Sequence, residues 1–75
     1  MPTLATPLVF RIHGMDCVEE VTVLKREVGP LVGGDDKLGF DVLNGKMTVA
    51  AGASAAPEAI RDAVARTGMR AEPWQ

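Results

Sequence analysis

The chain has a single cysteine among its 75 residues. One thiol closes no internal disulfide, so the fold must stand on its apolar core. A lone thiol also suits a reducing compartment, which makes the cytoplasm the expected location. No run of Lys and Arg occurs and the formal charge is -2; without clustered cations to displace phosphate counterions, nucleic acid is not an expected partner. No apolar stretch approaches the roughly 20 residues that cross a bilayer. Residues Met1 to Pro7 lack the charged start and apolar centre of a signal peptide. The sequence therefore reads as soluble, with no direct membrane contact of its own. A chain this short builds one modest core, here a single domain over 1–75 with its core at about 8–72, and is expected to be a monomeric binding module before an enzyme. Pro73-Trp74-Gln75 shows neither a helix nor a strand ending and reads as the start of a linker to something larger.

What is present is clear periodicity. Leu8, Phe10 and Ile12 alternate with Val9, Arg11 and His13, the period of a half-buried strand that stops at Gly14. The period then changes: Cys17, Val21, Leu24 and Val28 recur at helical spacing, and Gly29-Pro30 supplies a stop, so a first helix is expected over about 17–28. Gly33-Gly34-Asp35-Asp36 reads as a solvated turn. Leu38, Phe40 and Val42 alternate up to Asn44-Gly45, a hairpin signal, and Met47, Val49 and Ala51 form the return strand. Pro57 suits a first helical position, with Ile60, Ala63, Val64 and Thr67 on one face up to Gly68. A last strand over Met69 to Glu72 would complete the order strand, helix, strand, strand, helix, strand. The expected class is α+β, a ferredoxin-like βαββαβ sandwich whose four-stranded antiparallel sheet carries two helices on one face.

One segment looks like chemistry. Gly14-Met15-Asp16-Cys17-Val18-Glu19-Glu20 places the thiol beside Asp16 and three residues before Glu20, which gives one soft and two hard donors in a loop and a first helical turn. That donor set suits a borderline divalent metal. Other readings of the same residues compete with it. Cys17 on the stripe of Val21, Leu24 and Val28 could be a small buried hydrophobe. Asp16 and Glu19 have the spacing of a capping box, with Asp16 accepting from first-turn amides and Glu19 reaching back. Strand alternation turns His13 to the face opposite Phe10 and Ile12, which makes it a surface histidine and a weaker ligand candidate, as Glu19 is.

Strand, Gly14-Met15-Asp16-Cys17, then helix, within this element order, resembles the heavy-metal-associated domain of copper chaperones, mercury-binding proteins and the N-terminal regions of metal-transporting P-type ATPases. Gly45-Lys46-Met47-Thr48-Val49 and Gly68-Met69-Arg70-Ala71-Glu72 are similar to two weaker signatures of that family. The chain departs from the family motif Gly-Met-x-Cys-x-x-Cys at its last position, where Glu20 stands. Copper(I) is soft and the family holds it with two thiolates, so a carboxylate there moves the expected ion toward zinc, cadmium or lead. The Asp in Gly-Met-Asp-Cys is similar to the version found in zinc, cadmium and lead exporters, where it joins the ligand set. The resemblance thus implies metal ligands Asp16 and Cys17, to which position adds Glu20, and it implies that Met15 is an apolar anchor under the loop.

Three protein donors leave one zinc position open for water or a partner's side chain, which suits a site that hands its ion on. The expected role is a non-catalytic N-terminal domain of a zinc, cadmium or lead exporting P-type ATPase, whose partners are the rest of the transporter or another metal-transfer protein. A free-standing metallochaperone or metal buffer is the runner-up, and a domain kept for protein contact after losing its metal is a third reading. A thiol redox enzyme fits poorly, because no second cysteine resolves a disulfide. A hydrolytic enzyme would need a pocket and a positioned base that the sequence does not suggest.

Overall fold

The computed structural model describes residues 5–74. The elements run β1 (Leu8–His13), α1 (Val18–Val32), a 3-10 turn (Asp35–Lys37), β2 (Leu38–Asp41), β3 (Lys46–Val49), α2 (Pro57–Arg66) and β4 (Arg70–Pro73). The strands form one antiparallel sheet in the order β2-β3-β1-β4. This is the expected ferredoxin-like arrangement. The two βαβ halves interleave, so β1 and β3 are central and β2 and β4 are the edges.

The core forms where the two periodicities meet. Phe10, Ile12, Met47, Val49 and Ala71 point from one sheet face toward Val21, Leu24, Val28 and Val32 of α1 and Ile60, Ala63 and Val64 of α2, and all of these are buried. Arg11, His13, Arg70 and Glu72 lie on the other face, as strand alternation requires. Trp74 continues that outer row, with its indole 4.5 Å from the Arg11 guanidinium and 5.2 Å from the Lys46 ammonium. Trp74 therefore packs over two cations.

The first helix does not stop where its sequence suggests. It runs through Gly29-Pro30 to Val32 and ends at Gly33, whose left-handed backbone (φ 93°) forms the cap. Pro30 removes one i to i−4 hydrogen bond, to the Arg26 carbonyl, but Pro30 and Arg26 both lie on the exposed side of the helix. The extra turn buries Val32 completely, which offsets the loss. Gly29 packs closely against the segment after the helix; a Cβ there would lie 3.3 Å from the Asp35 backbone nitrogen. Its role is therefore close approach, while the cap falls to Gly33.

The hairpin also differs from a two-residue Asn-Gly turn. Asp41 pairs with Lys46, which leaves the four residues Val42 to Gly45 to reverse the chain. Asp41 organises that loop by accepting from the Asn44 side chain at 2.8 Å and its backbone N–H at 3.3 Å. The return strand stops at Val49, short of Ala51, and the last strand starts one residue later than expected, at Arg70.

Two exposed carboxylates on this framework carry pH dependence. The hydrogen bond from His13 holds Glu72 below the usual carboxylate range, and Arg70 and Arg11 add to the effect. The bonds from the Asn44 side chain and backbone do the same for Asp41, with help from Lys46. A depressed folded-state pKa contributes stability at neutral pH, and that stability is lost as pH falls through the folded-state value. The thermal midpoint should therefore decline as pH drops below about 4. Glu72→Gln should flatten the decline, and added salt should shrink it because both groups are exposed.

Candidate metal site

The loop between β1 and α1 is set by residues that alternate between inward and outward roles. Gly14 turns the chain with φ 97°, a conformation that favours glycine, and a Cβ at this position would lie 3.2 Å from the Met69 Cγ. Met15 then points inward and is buried, so it anchors the loop as the family resemblance implied. Met69 is buried as well, packed beneath Gly14. With Met15 held down, Asp16 and Cys17 are exposed at the start of α1. The reading of Cys17 as a buried hydrophobe on the helix stripe does not hold.

The cap lies one residue later than the capping-box reading places it. Cys17 is the N-cap residue, in extended conformation, and its side chain makes no cap hydrogen bond. Glu20, not Glu19, is therefore the third residue of the helix and the one that reaches back. Its Oε1 accepts from the Asp16 backbone N–H at 3.3 Å and from the Cys17 thiol at 3.1 Å. Neither the Asp16 nor the Glu19 carboxylate makes a hydrogen bond among the described residues. Sequence spacing could not choose between these registers, because Asp16 to Glu19 and Cys17 to Glu20 both span three residues. The structure, with Met15 anchored inward and the helix beginning at Val18, selects the Cys17–Glu20 register.

Donor atoms of Cys17, Glu19 and Glu20 lie within 4.8 Å of one another. Zinc bonded to sulfur at about 2.3 Å and to oxygen at about 2.0 Å in tetrahedral geometry holds its donors about 3.5 Å apart. Cys17 and Glu20 are already that close. The third donor needs to move by roughly 1 Å, within the reach of an exposed glutamate rotamer. Asp16 lies outside this group and His13 is elsewhere, paired with Glu72 at 3.3 Å on the outer sheet face. None of the ion pairs among the described residues involves Asp16, Glu19 or Glu20. Three carboxylates without a cationic partner make the loop a local sink of negative potential. The free N–H groups at the start of α1 tolerate that charge. A shallow groove between α2 and β4, lined by Glu58, Arg61, Asp62, Ala65, Arg70 and Ala71, shares no residue with the site.

No family model and no curated protein matches the chain. Solved structures do match. One, from work on the crosstalk between Cu(I) and Zn(II) homeostasis, superposes with a TM-score of 0.75 at 22% identity, covering 93% of this chain and 100% of the other. A second, the N-terminal domain of PacS from Synechocystis PCC6803, gives 0.74 at 20% identity over 95% of this chain and 100% of that one. Both likenesses establish the fold and span nearly the whole chain. No described helix is long and apolar enough to cross a membrane.

Proposed function

We propose that this chain is a metal-binding domain that carries a divalent zinc, cadmium or lead ion at the β1–α1 loop, for transfer to or regulation of a metal-exporting P-type ATPase to which it is N-terminal. The observation that carries this reading is the convergence of the Cys17 thiol with the Glu19 and Glu20 carboxylates in an exposed loop. Two neighbours in fold support it, one tied to Cu(I) and Zn(II) homeostasis and the other itself an N-terminal domain.

Cys17 and Glu20 are the proposed central ligands. Glu19 is the third donor in the geometry at hand, and Asp16 is the third by family position; rotation of the exposed Asp16 side chain would exchange the two. The metal replaces the thiol proton now donated to Glu20, so binding releases a proton and relieves the crowding of anions. One soft donor among hard ones argues for a borderline cation over copper(I). A metallochaperone working as a separate chain would use the same site, and a reading frame that continues into membrane spans separates the two.

Titration with zinc, cadmium, lead and copper(I), followed by thiolate-to-metal absorbance at Cys17 and backbone shifts of residues 14 to 20, tests the assignment. The expected result is saturable binding of the divalent ions with shifts confined to that segment. Tight copper(I) binding with indifference to zinc would overturn it.

A further inference from the structure

The two edges of the sheet are not equivalent. The Ala50 N–H donates to the Lys37 carbonyl at 2.8 Å, in register with the Leu38–Val49 and Gly39–Thr48 pairs. In an antiparallel ladder alternate residues face the neighbouring strand, so Lys37, Gly39 and Asp41 direct their backbone groups to β3, while Leu38 and Phe40 direct theirs away from it; the Val42 N–H, opposite the Asp41 carbonyl across a trans peptide, also points away. Two further groups of this segment are engaged by the adjoining turns. The Leu38 N–H donates to the Asp35 carbonyl, and the Val42 carbonyl accepts from the Gly45 N–H at 3.2 Å. Four backbone groups of the edge have no partner among the described residues: the carbonyl of Leu38, the N–H and carbonyl of Phe40, and the N–H of Val42.

At the other edge the Trp74 N–H donates to the Val9 carbonyl at 3.0 Å, in register with the Phe10–Pro73 pair. Ala71 and Pro73 therefore face outward on β4, and proline has no N–H to offer an added strand. One edge is blocked and the other is open.

We infer that β2 is the pairing edge of a two-fold dimer between copies of this chain, with Phe40 on the axis. The free groups of β2 map onto themselves under that axis. The Phe40 N–H of each copy donates to the Phe40 carbonyl of the other, and each Val42 N–H donates to the other Leu38 carbonyl. All four groups of each copy are satisfied, and the two groups withdrawn by local turns are the two this register leaves idle. A register centred on Gly39 would call on the Leu38 N–H, which is already spent. Side chains agree with the Phe40 register. Leu38, Phe40 and Val42 are half-buried at the margin of the core; pairing sets Leu38 against Val42 and Phe40 against Phe40 on the helix face. On the outer face Asp41 meets Gly39, so no like charges oppose each other. Both ends of the resulting eight-stranded sheet are β4 edges carrying Pro73, so the assembly closes at two copies. The proposed dimer departs from the monomer expected from sequence.

The test uses the whole chain treated with chelator, so that its outcome is independent of the metal site. Sedimentation and amide NMR are followed on dilution from about 1 mM to about 10 µM, the range for an interface this small. The mass should rise with concentration from 7.9 kDa toward twice that value, and the Phe40 and Val42 amides should shift in step while Ala71 stays fixed. Val42→Pro, which deletes one donor of the β2 edge, should hold the chain monomeric. The wild-type dilution series stands alone if Val42→Pro fails to fold. A monomer throughout overturns the inference. Concentration-dependent shifts confined to residues 14–20 also overturn it, as does pairing of β2 only with an added unrelated strand.

Discussion

Cys17→Ala is expected to lower zinc affinity on the order of 100-fold or more while leaving the fold in place. Structural zinc sites hold their ion with about 10–16 kcal/mol shared among four ligands, so one thiolate is worth roughly 3 kcal/mol, and each 1.4 kcal/mol is about tenfold in affinity. Alanine is the informative replacement. Serine is a strong N-cap residue and a weak oxygen donor, so it would stabilise the helix start and mask part of the loss. Cys17 makes no cap bond and is exposed, so alanine removes the ligand at little structural cost. Asp16→Asn and Glu19→Gln measured alongside assign the third donor: the variant that loses affinity carries the ligand, and the other keeps it. Zinc binding unchanged in Cys17→Ala would remove the site from this loop and leave the domain a scaffold for protein contact.

Most of the architecture was legible because period and punctuation agree in this chain. Six elements follow from alternation in β1 and β2, from the Val21, Leu24 and Val28 stripe, and from Pro57 and Gly68. The misreading at Gly29-Pro30 has a physical cause. Proline ends a helix in isolation, but here it sits on the solvent side while Val32 beyond it is buried completely, so tertiary burial outweighs local propensity. The site was legible as a cluster and less so as a register. Asp16, Cys17, Glu19 and Glu20 all stand out in sequence. Which glutamate reaches back depends on where the helix begins, which the structure places at Val18, with Met15 in the core. The open β2 edge carries no sequence signal, because it arises from which backbone groups β3 and the two adjoining turns consume.

In the proposed site the Cys17–Glu20 hydrogen bond would link helix capping to ion capture. Without metal, Glu20 closes the first turn through Asp16 and holds the thiol proton. If Glu20 ligates as proposed, its carboxylate would turn to the ion and release the backbone N–H of Asp16 to water. Under the proposed assignment, binding would be coupled to a local rearrangement of residues 14 to 20. A loop that is pinned by Met15 and Met69 and exposed beyond them can make that exchange without disturbing the core.

Leu24→Ala is expected to cost about 2–5 kcal/mol of folding stability, the range for emptying a fully buried leucine site. Leu24 is completely buried in the middle of the α1 stripe, between Val21 and Val28, and faces the sheet. At roughly 0.05–0.15 kcal/mol per residue a chain of 75 residues holds only about 4–11 kcal/mol in total, so the variant should lose a large part of its stability, visible in thermal or urea denaturation. The same variant weighs the metal site independently of the ligands. An ion that binds only the folded chain adds stability by mass action, about 2.7 kcal/mol at a hundredfold excess over Kd. Saturating zinc should therefore restore much of the stability lost in Leu24→Ala. The double variant Leu24→Ala with Cys17→Ala should gain almost nothing from zinc, and equal rescue in both would mean that the ion stabilises the fold somewhere other than the β1–α1 loop.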